Sequence, residues 1–480
     1  MVLFDAAARR RALERMAEGE LDVLVVGGGI TGCGVALDAA TRGLSVGLVE
    51  ADDFASGTSG RSSRLVHGGV RYMAQRELGL VRESLRERDV LLRNAPHLVR
   101  PLPVVFPVAK RSSRASVLAG LVLYDVLGAR RVARHRRLSA DETARSVPGF
   151  GARAPALVYT ECATDDARLT VQIARTAAAN GALVANHARV EELLGEGGVR
   201  GALVRDQLTG ERLEVRARTT VNATGVWATA TQGFATATPQ PHVTSKGIHL
   251  VFRPGAIRTT TGAIIGSQAG DGRLLFVIPW EGRVYVGTTD TRYEGPLEDP
   301  VVDEESVDYI LAAVAAAFPG VGHEDVVAAW AGLRPLADHG DGPTADLSRR
   351  HEIYEGPPGL LTVTGGKLTT YRAMAQAVVD RISTAPCRTG SIPLGLTRPL
   401  AETLAAAGEH GARLVRLYGD DWAFAAERLR DEPALADPFL PELPVLAVEA
   451  ELAVSREMAL TDADIARRLR LASFGVTPEG

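Results

Sequence analysis

The feature that most constrains this chain is a glycine turn set between a strand and a helix. Gly27, Gly29 and Gly32 form G-x-G-x-x-G directly after the apolar residues 22–26 and directly before a run of small and apolar residues reaching Arg42. Glycines at that spacing allow a tight turn, close backbone approach to a pyrophosphate and close packing of helix on strand. The helix start adds free N–H groups and the positive end of a dipole, which together suit an anion. A second strand is predicted over residues 45–49, and Glu50 ends it where a carboxylate can accept hydrogen bonds from a ribose diol. These elements predict half of a doubly wound α/β unit that binds a dinucleotide. The pattern alone does not separate FAD from NAD.

The rest of the chain is organised around that half-unit. A charged helical lead-in is expected over residues 3–19, and Leu78, Val81, Leu85 and Leu92 predict a surface helix within 77–99. Between about 240 and 290 the runs IHLVF, LLFVI and VYVGTT, separated by Gly and Pro, predict a largely antiparallel second domain. From about 390 the pattern is helical again, and Thr461 with Asp464 predicts the capped start of a final helix ending near Leu471.

Charge and cysteine usage exclude several classes. A formal net charge of −4 argues against a dedicated nucleic-acid binder. Cys33, Cys162 and Cys387 stand far apart, so neither a zinc site nor an iron–sulfur cluster is expected, and no metal is assigned. The N-terminus lacks the apolar core of a signal peptide, and no run of about 18 apolar residues occurs, so a cytoplasmic protein without a membrane span is expected.

Other motifs carry chemistry. In TTVNATGVW, residues 219–227, a strand runs into Gly225, where small residues permit a second close approach to a nucleotide. The run GGKLTTYR, residues 365–372, follows an apolar strand but is not a phosphate-binding P-loop, because Leu361 and Leu368 occupy positions where that loop needs Gly and Ser or Thr. A helix starting there can turn its positive end toward the N1–C2=O edge of a flavin, where reduction places negative charge. Arginine forks suited to phosphate occur in HGGVRY (67–72), GLRP (332–335) and SRRH (348–351). In KGIH, His249 offers an imidazole able to accept a hydroxyl proton.

Taken in order, these motifs closely resemble the FAD-dependent glycerol-3-phosphate dehydrogenases of the D-amino-acid-oxidase-like flavoprotein superfamily. The stretch TSGRSSRLVHGGVRYM (58–73) matches most strongly, and ESLRERDVLLRNAPHL, TDDARL, VNATGVW, SKGIHLVF, FVIPW, GTTDT, AGLRPL and TGGKLTTYR follow in family order over roughly residues 20–385. The resemblance implies an α/β fold with three parts. An FAD-binding Rossmann-like domain would be assembled from residues 1–72, 160–230 and 325–384. An antiparallel β-rich substrate domain would use 73–159 and 231–324, and a C-terminal helical domain 385–480.

It further implies that Gly27, Gly28, Gly29, Gly32, Glu50, Thr58, Ser59, Ser62, Ser63, Gly225 and Gly366 hold FAD. Arg71, Tyr72, Arg334, Arg349 and Lys367 would surround the substrate, with His249, Arg334 and Lys367 catalytic. The implied reaction takes hydride from C2 of sn-glycerol 3-phosphate to flavin N5, leaving dihydroxyacetone phosphate, with electrons passed to a quinone or another acceptor. Two other activities stay open: a glycerol-3-phosphate oxidase using O2, and an amino-acid or amine oxidase of the same superfamily. Arg64 stands where the family commonly has lysine, and residues 390–480 match only loosely.

Residues 110–137 hold Lys110, Arg111, Arg114, Arg130, Arg131, Arg134, Arg136 and Arg137 around the apolar run VLAGLVLYDVLG. A basic amphipathic element of this kind predicts either a docking face for the anionic inner surface of the membrane or a half-buried helix with solvated arginines.

Overall fold

Five parallel strands form the centre of the first sheet, and their sequences show why they are buried on both faces. Leu360–Gly365, Arg212–Asn222, Glu20–Val26, Val46–Val49 and Leu183–Ala185 lie side by side in that order, all parallel. ELDVLVV and VGLV are near-continuous apolar runs, as strands covered on both sides require. Helices Ile30–Thr41 and Asp166–Ala179 pack against each other, and Tyr371–Val379 packs on the first of them. Their buried side chains join those of the strands in one core that includes Val23, Val25, Leu48, Leu169, Val221 and Val378. The strand order reverses at Glu20–Val26, whose neighbours are Val46–Val49 on one side and Arg212–Asn222 on the other. Such a switch point opens a crevice at the carboxyl ends of the strands.

This computed structural model describes residues 3–70, 73, 77–107, 111–128, 132–151, 154–336 and 350–476. The second sheet runs in the order Thr291–Arg292, Val243–Phe252, Arg283–Gly287, Leu274–Trp280, Gly262–Gly266, Arg100–Pro107, Ala156–Ala163, Leu65–Val66. Val326–Leu336 adds to it along Val243–Phe252. It is antiparallel as expected, except that Gly262–Gly266 and Arg100–Pro107 run parallel. Leu65–Val66 and Val326–Leu336 fall in stretches that the sequence reading gave to the cofactor-binding part, yet they hydrogen-bond in this sheet. The chain thus crosses between the sheets beside the crevice, and residues of both face the same space.

One local expectation changed and another held. The helix Leu78–Asn94 is no surface helix, since Glu87, Arg88 and Asp89 on it are buried. Of these buried charges, Glu87 is gripped by Arg372 in bidentate fashion at 2.6 and 2.7 Å, while Arg82, Arg86 and Arg93 on the same helix are exposed. The final helix is Asp462–Arg468, and Thr461 caps it by accepting from the Asp464 N–H at 3.2 Å. Leu400–Tyr418, Trp422–Asp431 and Ala447–Arg456 complete the helical C-terminal part.

Candidate active site

The glycine turn is shaped by what its missing side chains would strike. A Cβ on Gly32 would stand 1.9 Å from the Gly27 carbonyl oxygen, and one on Gly27, whose φ is +112°, would meet the Ala223 oxygen at 2.6 Å. The helix Ile30–Thr41 therefore seats directly on the turn, and the turn on the strand end at Ala223. Gly28 packs inward and donates its N–H to Glu50 Oε2 at 2.6 Å, while Asp52 N–H donates to Oε1 at 2.9 Å. Burial raises the Glu50 pKa, and the two N–H donors oppose the rise. Ser59 Oγ accepts from the Ile30 N–H at 2.9 Å, locking the serine-rich loop onto the helix start.

From this turn a cleft of about 1790 Å³ runs across the molecule. Gly27, Gly29, Glu50, Thr58, Ser59, Ser62, Ser63 and Gly225 line its first part, and His249, Arg334, Gly366 and Lys367 line the far part. Of the expected cofactor residues, Gly28 and Gly32 do not line it and act through packing. Ser62 donates its hydroxyl to Asp166 at 2.6 Å, so that side chain shapes the loop. Arg71, Tyr72 and Arg349 lie outside the described residues.

The far end is built by glycines that make room for larger neighbours. Ser245 and Arg334 face each other across two strands, and a Cβ on Gly247 would lie 2.2 Å from the Arg334 guanidinium. That guanidinium donates to Thr288 Oγ1 at 2.9 Å and lies 3.8 Å from Asp290. Gly287 does the same for His249, whose ring a Cβ there would meet at 2.3 Å. His249 is buried, stacks on Trp330 at 4.7 Å, and shares a 2.9 Å hydrogen bond between its Nε2 and Ser63 Oγ. Burial, with Arg334 and Arg64 nearby, holds its pKa well below the ordinary histidine value, so the imidazole is neutral. Lys246 of the same motif turns away to Asp303 and the Val301 carbonyl.

Lys367 enters the cleft from the turn before Leu368–Thr370 and reaches Ser84 Oγ at 3.4 Å. Thr369 Oγ1 accepts from the His67 N–H at 3.1 Å, which ties this turn to the HGG run.

A model of the FAD dependent oxidoreductase family, DAO, matches residues 22–381. The chain belongs to this family. Among its relatives, glycerol-3-phosphate dehydrogenase 2 of Mycobacterium tuberculosis is 39% identical, over 97% of this chain and 83% of that one. The aerobic glycerol-3-phosphate dehydrogenase of Bacillus subtilis is 37% identical, over 96% and 89%. A solved glycerol-3-phosphate dehydrogenase from Bacillus halodurans, complexed with FAD, is 32% identical and superposes with a TM-score of 0.78, over 98% of this chain and 90% of that one. The L-alpha-glycerophosphate oxidase of Mycoplasma pneumoniae, at 17% identity and a TM-score of 0.63, shares the fold.

The cofactor of the family is FAD, and the residues present fit it. Gly225 lines the cleft at φ +62° with nothing within 4 Å of where a Cβ would be, so its backbone faces open space at the strand end. The cleft also exceeds the few hundred to about 1,000 Å³ typical of small-ligand sites, as a dinucleotide plus a substrate requires.

Three cleft residues were not singled out from sequence. His67 was read only as part of a basic run. Glu161 is fully buried, accepting from Tyr124 OH at 2.7 Å and Gly68 N–H at 3.2 Å, and a lone glutamate inside the apolar strand ALVYTECA was its only signal. Arg467 comes from the far C-terminus, where no motif marks it.

Proposed function

We propose that this chain oxidises sn-glycerol 3-phosphate to dihydroxyacetone phosphate. The observation that carries this reading is the single cleft whose lining joins the glycine turn to the cations Arg334 and Lys367 and to a neutral His249 stacked on Trp330. Its relatives of 37% and 39% identity bear the name of that activity. Bound FAD supplies the acceptor for the C2 hydride.

In this reading Gly27, Gly28, Gly29, Gly32, Glu50, Thr58, Ser59, Ser62, Ser63, Gly225 and Gly366 form the cofactor seat. Arg334 and Lys367 take the substrate's phosphate and oxygens by charge-assisted hydrogen bonds, joined by Arg71, Tyr72 and Arg349. The alcohol must lose its hydroxyl proton as the hydride leaves. A neutral imidazole carries the lone pair for that proton, which makes His249 the candidate acceptor. The division into an FAD-binding part, a substrate part and a C-terminal helical part belongs to the same proposal.

A quinone is the proposed electron acceptor, met at the inner face of the membrane. On the helix Arg111–Leu127, Val122, Leu123 and Val126 are 46, 38 and 73% exposed, and Leu123 also lines the cleft. Arg134, Arg136 and Arg137 beyond it are exposed. Apolar side chains beside arginines suit an anionic lipid surface. Among the described residues no helix is long and apolar enough to cross a membrane. Co-sedimentation with anionic liposomes at low salt, lost at high salt, is expected. No binding at either salt removes the membrane contact.

The decisive experiment is anaerobic addition of sn-glycerol 3-phosphate to the yellow holoprotein. Rapid bleaching with this compound, and none with glycerol or amino acids, is the expected result. A flavin that stays oxidised overturns the substrate assignment and points to amine or amino-acid oxidation. Peroxide formed stoichiometrically in air would replace the quinone with O2.

A further inference from the structure

The C-terminal residues 461–476 touch the stretch 52–64, which frames the first part of the cleft, and the helix start at 165–166. Arg467 donates to Asp52 at 2.9 Å, and Arg468 grips Asp53 with both terminal nitrogens; the two aspartates stand two and three residues after Glu50. Arg470 donates to the Gly60 carbonyl at 2.8 Å, to Asp165 at 2.6 Å and to Asp166, the residue that fixes Ser62. Ser473 meets Arg64, which lies buried between Trp280 and Trp330 at 4.5 and 4.7 Å. The stretch 52–64 and the residues 165–166 lie about 100 residues apart, and the segment ties both to the C-terminus as a cross-brace.

Arg467 does more than brace, because it lines the cleft itself. Its Nη1 serves Asp52 and approaches Asp464 at 3.5 Å, and its Nε and Nη2 make no hydrogen bond to a described residue. Arg61 lines the same wall, one residue past the turn whose Ser59 holds the helix start. Its guanidinium likewise makes no hydrogen bond to a described residue. Burial together with the charge of Arg467 holds the Arg61 pKa down, with Asp299 and Asp52 the acids that oppose this. Two guanidiniums that repel each other on the cleft that also holds the glycine turn and its helix start are short of an anion, and the anionic portion of FAD is its diphosphate.

We propose that Arg467, carried in by the C-terminal segment, binds the diphosphate of FAD together with Arg61, so that the C-terminal unit completes the cofactor site. This rests on the family's use of FAD. It gives a role to a region that lies beyond the family model's match at residues 22–381.

The test uses full-length apoprotein, titrated with FAD, ADP and adenosine by fluorescence and calorimetry. Arg467→Ala and Arg61→Ala should each weaken FAD and ADP at least tenfold and leave adenosine within twofold, because only the first two carry the diphosphate. Arg467→Lys should recover part of the loss, and the salt dependence of ADP binding should be shallower in Arg467→Ala than in the parent. Unchanged FAD and ADP affinity overturns the proposal. Equal weakening of adenosine and ADP also overturns it, since Arg467 would then act only by holding the loop through Asp52. If Arg467→Ala does not fold, the comparison of Arg467→Lys with the parent decides between the same outcomes. A parent protein that binds ADP but not FAD would instead contradict the cofactor itself.

Discussion

Replacing Gly32 by alanine tests the reasoning at its most quantitative point. The added Cβ would stand 1.9 Å from the Gly27 oxygen and 3.1 Å from the Gly27 carbonyl carbon. A carbon normally approaches a carbonyl oxygen to about 3.3 Å, so one backbone must retreat by about 1.4 Å. Neither partner is a flexible side chain. Gly27 is held by its N–H bond to the Val49 carbonyl at 2.8 Å, and the helix by its packing on Asp166–Ala179 and Tyr371–Val379. Overpacking of this kind costs about 1–3 kcal/mol, and here it displaces the atoms that face the cofactor. FAD affinity should therefore fall about 10- to 100-fold. Fluorescence quenching of FAD on titration with apoprotein reads this directly. Gly79→Ala is the control. That glycine sits in the helix Leu78–Asn94 with nothing within 4 Å of a Cβ, so alanine should raise stability by about 0.5–1 kcal/mol and leave FAD binding alone. Gly32→Ala with FAD affinity within twofold of the parent would refute the claim that this contact sets the cofactor seat.

Three further outcomes are expected. Arg334→Ala removes the guanidinium seated against Thr288 and should raise the KM for sn-glycerol 3-phosphate about 10- to 100-fold through lost charge-assisted bonds, with bound FAD unchanged by absorbance. Because His249 is held neutral by burial with Arg334 and Arg64 nearby, the rate of flavin reduction should show no acid limb near pH 6.5; a limb there that vanishes in His249→Gln would contradict the burial argument. His187 is the opposite case. Burial disfavours its charge, but the Asp464 carboxylate at 2.8 Å overcomes this and raises its pKa. Its stabilising contribution is complete below the unfolded pKa and is lost as pH rises through the folded one. The Tm advantage of the parent over His187→Gln should thus be largest near pH 5.5 and shrink on the alkaline side, and a gap independent of pH would count against the ion pair.

The nucleotide half-unit was legible because its signals are local. A run such as ELDVLVV, the glycine spacing and the Glu50 strand end each report on residues within one turn or strand, and the structure places Gly27, Gly29 and Glu50 on one cleft. The same holds for the Thr461 cap, where side chain and partner are three residues apart. Family motifs carried the far end as well, since Arg334, His249 and Lys367 reach the same cleft from separate strands and turns. The sequence marked Gly247 and Gly287 only as letters in those motifs; their purpose, room for a guanidinium and an imidazole across a strand pair, needs the register.

Tertiary structure alone decided the rest, and the reason is range. Leu78–Asn94 reads as a surface helix because its charges are polar by type, yet Glu87 is satisfied by Arg372 from 285 residues away, which no periodicity reveals. Arg64 looks like a conservative replacement of a surface-type cation, but folding places it between two tryptophans brought in by different strands. Arg467, Arg468 and Arg470 lie in a charged helix end that resembles any solvated terminus. Their partners Asp52, Asp53 and Asp165 stand more than 300 residues earlier, so only the closed fold makes that terminus part of the cofactor site.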